Sequence, residues 1–261
     1  MNGRMNGRMN GRMNGGSFVR FLALALVAVG CSSRSGNLEQ MGADQLYQRG
    51  ADAMERRKWS DAILALNSFS LRFPTHPRAQ EARYHLGEAY YNKKEFITAA
   101  GEFDRLANDS PAGPWADDSR FKVCESYYRL SPKPPLDQQY TRGALDHCLS
   151  LETYYPNSEY VARARELAAE LVNRLALKEF LTGDFYYKRG AYDSGIIYFE
   201  ATLRDFPTSN AAPRALLRLF QTYTTLGYKE EADAAKARLL KDFPQSEQAR
   251  SLLVTTVAKS L

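Results

Sequence analysis

Residues 78–111 read RAQEARYHLGEAYYNKKEFITAAGEFDRLANDSP, and the rest of the chain repeats this stretch. Its first half strings Tyr84, Gly87, Ala89 (or Tyr90) and Tyr91 along one helical segment. Its second half does the same with Phe96, Ala99, Ala100, Phe103 and Leu106. Asn92, Lys93 and Lys94 make the turn between the two. Pro111 ends the unit, because proline cannot continue a helix. Gly87 and Ala99 are small, so the two helices can approach closely and pack as an antiparallel pair.

Three marks recur: a small residue, a second small residue 12 positions on, and a proline 12 further. They are Gly50, Ala62 and Pro74 in the first unit and Gly87, Ala99 and Pro111 in the second. The fourth has Gly183, Gly195 and Pro207; the fifth has Phe220, Ala232 and Pro244, its first mark enlarged to an aromatic. In the third unit, Cys124 and Ala144 lie 20 positions apart before Pro156, so 8 residues are inserted. The insert falls in SPKPPLDQQY (131–140), a proline-rich stretch that reads as a loop at the inter-helix turn. One match would be weak; five in register resemble the tetratricopeptide (TPR) pattern of roughly 34 residues.

The expected fold is an all-α, TPR-like solenoid of five helix pairs with a C-terminal capping helix. Repeats are expected at 43–76, 80–113, 115–158, 176–209 and 213–246, with a cap at 247–260. One long helix is expected over 160–187, bent near Gly183, whose second half opens the fourth unit. Each pair alone exposes an apolar face and is stable only when stacked on its neighbours.

The first thirty residues stand outside the fold. MNGRMNGRMNGRMNGG is a low-complexity tandem with no apolar face, consistent with an extended gene start and a true initiator near Met13. Arg20, the nine-residue apolar run 21–29 and Gly30-Cys31 then lay out a signal peptide too short to span a bilayer as a helix. The ending resembles a bacterial lipobox, with Ala28 where leucine is usual and Cys31 as the acylated residue. Ser32 after it favours the outer membrane. Residues 31–42 are expected to be a tether. Removing the leader takes away Arg4, Arg8, Arg12 and Arg20, leaving 31 basic and 30 acidic residues. The net charge of about +1 leaves no basic stripe for phosphates, so no nucleic-acid partner is expected.

In such a stack the first helices of each pair line the concave side. Their groove positions are Tyr47 and Met54, Tyr84 and Tyr91, Phe121 and Tyr128, Phe180 and Tyr187, Leu217 and Thr224. Rigid rings with polar tips suit an extended peptide. Tyr47, Tyr84, Tyr91, Phe121 and Tyr128 are therefore the candidate peptide groove, against the alternative that some of these rings are buried between helices.

No enzyme signature is present, and no cofactor is expected. His76, His85 and His147 are scattered, and no metal-ligand cluster is visible. Cys124 and Cys148 occupy inward positions of one unit. A disulfide and two buried free thiols are both open.

Several stretches resemble the BamD family, the TPR lipoproteins of the outer-membrane β-barrel assembly (Bam) machinery. They are residues 136–165 with Asp137-Gln138 and Tyr155-Pro156-Asn157-Ser158-Glu159-Tyr160, residues 178–192, and the turn at 73–77. The turn at 111–114 and Gly195 depart from the family pattern. The resemblance implies a non-enzymatic scaffold, lipid-anchored on the periplasmic face of the outer membrane. Its implied partners are BamA POTRA domains, other Bam lipoproteins and unfolded outer-membrane proteins. It implies an N-terminal groove for their C-terminal targeting segments and a BamA contact in the last two units, with Lys188, Arg189, Tyr192 and Tyr228 as candidates. The alternative is another periplasmic TPR adaptor of the Tol-associated cell-division type. Against it, that type usually has an N-terminal coiled coil and lacks a lipobox, whereas no heptad run precedes Ala43. A TPR-bearing envelope enzyme is disfavoured too, since no residues remain outside the repeats for a catalytic domain.

Overall fold

The computed structural model describes residues 38–260. The leader, the lipobox and Cys31 lie outside the described residues. Among those described, every regular element is helical: α1 (Ala43–Glu55), α2 (Trp59–Arg72), α3 (Ala79–Asn92), α4 (Phe96–Asp109), α5 (Ala116–Leu130), α6 (Gln139–Tyr154), α7 (Val161–Lys188), α8 (Tyr192–Asp205), α9 (Ala212–Leu226), α10 (Lys229–Asp242) and α11 (Glu247–Ser260). From α1 to α10 each packs chiefly on its chain neighbours, as a solenoid requires, and α11 closes the end against both α9 and α10. Odd-numbered helices also touch across units (α1 with α3, α5 with α7, α7 with α9, α9 with α11), whereas even-numbered ones do not make comparable contact. The odd helices therefore follow the shorter, concave arc.

The structural repeat is 37 residues, as the Gly50, Gly87 and Cys124 series shows. Its small residues work by letting a large one in. An added Cβ would lie 2.6 Å from the Leu66 side chain at Gly50, 2.7 Å from the Phe103 ring at Gly87 and 2.6 Å from the Phe199 ring at Gly183. Leu66, Phe103 and Phe199 are fully buried there. In the third unit the same pair of positions is Cys124 and Cys148, and their sulfurs are bonded at 2.07 Å. A covalent link thus replaces the contact of glycine with a large side chain in the unit that carries the insert.

Both kinds of turn repeat their hydrogen bonds. Within every hairpin except that of the third unit, an N–H reaches back five residues: Lys58 to Ala53 O, Glu95 to Tyr90 O, Ala191 to Tyr186 O and Tyr228 to Tyr223 O. The preceding residue is left-handed in each: Arg57, Lys94, Gly190 and Gly227. Between units, each proline follows the acceptor of a closed turn. His76 donates to Phe73 O, Gly113 to Ser110 O, Ser158 to Tyr155 O, Ser209 to Phe206 O and Ser246 to Phe243 O. Proline suits this second turn position because its φ is already set.

One feature departs from the sequence reading and another adds to it. Leu38 is buried in the core of the first unit with Met41 packed beside it. Arg72 donates from both terminal nitrogens to Leu38 O and Met41 O, at 2.9 Å each. The packed unit therefore begins inside the stretch expected to be a tether; burial of one leucine and two charge-assisted bonds outweigh the polarity of its surroundings. The inserted loop is also built rather than slack. Gln138 is buried, and its Nε2 donates to the carbonyls of Lys133, Pro134 and Leu136. Arg174 and Lys178 of α7 hold the Ser131 and Pro135 carbonyls at 3.0 and 2.8 Å.

Candidate functional site

The concave face does not carry the five aromatic residues as a set. Tyr47, Tyr84 and Phe121 are only 8%, 5% and 5% exposed. This corrects their assignment to a groove, and the cause lies in the following unit. The Tyr84 ring stacks on Trp115 at 4.5 Å and meets Phe103 at 5.5 Å. Burial, followed by a hydrogen bond to Asp118, pushes its hydroxyl pKa well up. Phe121 stacks on Tyr160 at 4.9 Å. Tyr47 lies edge-on to Phe69 and beneath the Arg78 guanidinium, 4.7 Å from the ring centre. Burial, followed by Glu81, pushes its pKa up to about 12. Beside α1, at the N-terminal end of the solenoid, lies an open hollow of about 920 Å³ lined by residues that include Gln48, Arg49, Asp52, Arg56 and Arg78.

Tyr91 and Tyr128 remain half-buried on the concave side. Tyr91 lies edge-on to Phe96 at 5.2 Å with Lys122 over its ring at 5.5 Å. The Tyr128 hydroxyl donates to Glu170, and the Arg174 guanidinium sits 5.3 Å above its ring. The same device recurs further on: Arg214 lies 4.2 Å over Phe180 and Arg218 lies 4.6 Å over Tyr187. Each lining ring except Tyr84 and Phe121 is thus covered by a cation from a later element, an attraction of about 0.5–2 kcal/mol. Aromatic periodicity missed these cations, because they come from later elements at differing repeat positions: Arg78 and Arg174 lie nine residues before the small mark of their units, Lys122 and Arg218 two before it, and Arg214 six before it.

The last two units bring three candidate contact residues together. Lys188, Arg189 and Tyr192 gather at the α7–α8 turn, and Tyr228 occupies the corresponding turn of the next unit, 49% exposed. Arg189 stacks over Phe185 at 3.6 Å, and Tyr192 meets Tyr187 edge-on at 5.7 Å. Phe185 is 48% exposed and was not among the sequence candidates. Lys188 pairs with the buried Asp184 at 2.7 Å, and Arg218 reaches the other oxygen of that carboxylate at 2.8 Å.

Burial raises the Asp184 pKa, but hydrogen bonds and charge from Lys188 and Arg218 outweigh it and hold the carboxyl below its ordinary value. A depressed folded pKa stabilises the fold above the unfolded value near about 3.9, and that stabilisation is lost as the pH falls through the folded value. Asp184→Asn is expected to cost about 1–3 kcal/mol at pH 7. The gap to the parent should narrow as the pH falls below about 3.9 and close only below the depressed folded value. Urea midpoints of both proteins at pH 7 and pH 3.5 test this, and a gap independent of pH would refute it.

Among the described residues no group of His, Cys, Asp and Glu is placed to hold a metal ion, and no helix is long and apolar enough to cross a membrane.

A family model described as YfiO, outer membrane lipoprotein, matches residues 39–239. Curated relatives agree. The outer membrane protein assembly factor BamD of Caulobacter vibrioides is 30% identical over 231 residues, covering 85% of this chain and 75% of that one. The chain belongs to the BamD family. The BamD proteins of Vibrio cholerae and Rickettsia prowazekii are each 25% identical over 228 residues, covering 82% and 87% of this chain and 93% and 90% of theirs. BamD membership makes the chain a non-enzymatic outer-membrane protein assembly factor with a TPR-like fold.

Proposed function

We propose that this chain is a lipid-anchored scaffold of the β-barrel assembly machinery on the periplasmic face of the outer membrane. Cys31 carries the lipid. The last two units dock the POTRA domains of BamA, and the concave face receives the C-terminal targeting segment of unfolded outer-membrane proteins. Other Bam lipoproteins join the assembly. The observation that carries this reading is the BamD-family match across nearly the whole repeat region. It is supported at the C-terminal end by exposed rings near two successive turns, Phe185 with Arg189 over it and then Tyr228. Clustered aromatic and arginine side chains at a surface are typical anchors of protein interfaces. The half-buried Tyr91 and Tyr128 offer ring faces to an extended chain that ends in aromatics.

Site-specific photo-crosslinking in living cells tests the assignment. A photoreactive phenylalanine in place of Tyr192 or Tyr228 is expected to capture BamA. The same residue at Tyr91 or Tyr128 is expected to capture newly made barrel proteins. Position 71, where Leu71 is 74% exposed on α2, is the control. Equal capture of BamA from position 71 and position 228 would sink the docking assignment. Barrel capture no higher at 91 and 128 than at 71 would sink the groove.

A further inference from the structure

At the C-terminal end of the concave face, α7, α9 and α11 enclose a pocket of about 310 Å³. Phe180 and Leu217 supply apolar wall, and Gln248 of α11 stands at its margin. Three cations face it, Lys188, Arg214 and Arg218, against one carboxylate, Asp184. That carboxylate is already committed: Lys188 takes one oxygen and Arg218 the other. Arg218 spends a further nitrogen on Gln221 at 2.8 Å. Arg214 is left over. It is half-buried, its guanidinium lies 4.2 Å from the Phe180 ring centre, and among the described residues it has no hydrogen bond or ion pair. A guanidinium carries five N–H donors in a planar fork, and holding it partly out of water without an acceptor is unfavourable. Contact with the Phe180 ring restrains this side chain, which reduces the entropy lost when an anion binds it.

We propose that this pocket is a carboxylate-binding subsite: Arg214 grips a peptide carboxylate bidentately, Arg218 and Lys188 add field, and Phe180 and Leu217 receive the adjoining apolar side chain. Planar two-point recognition favours a carboxylate over a chloride or a lone carbonyl. The excess of two positive charges favours an anion over a neutral group. A volume of this size admits one carboxylate and one side chain, which suits the end of a chain or one acidic residue with its neighbour. The subsite shares Lys188 with the α7–α8 turn assigned to POTRA docking, but Arg214 and Phe180 belong to the subsite alone and Phe185 and Tyr228 to the docking turns alone, so either assignment can fail by itself.

The test is fluorescence anisotropy of the purified full chain with three labelled hexapeptides. One is Gly-Ser-Gly-Ser-Ala-Phe with a free C-terminal carboxylate; the second is its C-terminal amide. The third is an amide with glutamate in the fifth position. The free acid is expected to bind at least about tenfold more tightly than the plain amide, and binding should weaken as salt rises. Arg214→Gln keeps the stem over Phe180 and should lose about tenfold or more. Arg214→Lys keeps the charge without the fork and should lie between. Binding by the glutamate peptide equal to that of the free acid assigns the site to acidic side chains; binding by the free acid alone assigns it to chain ends. Equal binding of acid and plain amide, no binding of any peptide, or an Arg214→Gln protein of unchanged helix content that binds as before would overturn the proposal.

Discussion

Replacing Phe103 by alanine is expected to lower the stability of the solenoid by about 3–5 kcal/mol, the cost of deleting a fully buried ring from a site that cannot collapse. Phe103 is 0% exposed, and its ring fills the space left open by Gly87 on the facing helix while touching Tyr84. The reciprocal change has the same origin. In Gly87→Ala the new methyl would sit 2.7 Å from the Phe103 ring. An alanine in an exposed helix interior would gain about 1 kcal/mol over glycine, but overpacking costs about 1–3 kcal/mol, so a net loss is expected. The two changes touch one contact and should not add, because a site without the ring has room for the methyl. Urea unfolding of the full chain, followed by far-ultraviolet circular dichroism, measures all three proteins. A loss below about 1 kcal/mol for Phe103→Ala would mean that this contact does not hold the second unit together.

The second large effect belongs to the disulfide. Cys124 and Cys148 are 24 residues apart in sequence, and cross-linking a segment of that length restrains the unfolded chain by about 3 kcal/mol in the loop-entropy account. Cys124→Ala/Cys148→Ala is therefore expected to lose about 3 kcal/mol, together with some packing at a position that is bridged here and filled by Leu66, Phe103 and Phe199 in the first, second and fourth units. Reductant should lower the urea midpoint of the parent and leave the double variant unmoved. A parent whose midpoint ignores an excess of reductant would show that the bridge contributes nothing. Such a bridge suits the envelope of an outer-membrane family, where oxidising conditions preserve it.

The helices and turns were legible because their determinants are local. A proline ends each second helix, and a small residue marks each crossing. Helix ends fall within two residues of the positions the pattern implies, including both ends of the 28-residue α7. The inserted loop was legible as a loop, but its order was not, since that depends on one buried amide and two cations arriving from α7, more than 30 residues on. The groove was read only in part. Helical periodicity tells which side of a helix Tyr84 occupies; it does not tell that Trp115, beyond the next turn, will lie on top of it. The cations over Tyr47, Tyr91, Tyr128, Phe180 and Tyr187 went unread for the same reason. Burial of a surface ring is decided between units, and the repeat pattern describes one unit at a time. Leu38 belongs to the same class: a single leucine in a polar stretch carries no period, and only its fit against α2 draws it into the core.

The central claim is that the C-terminal units of this BamD-family chain dock BamA. Isothermal titration of the full chain in detergent with the POTRA domains of its own BamA tests it most directly. The account predicts saturable one-to-one binding of micromolar affinity or better. It also predicts at least about a tenfold loss when Phe185 and Tyr228 are both changed to serine, with helix content retained. No heat of binding from a well-folded chain, or undiminished affinity in the double variant, would contradict it.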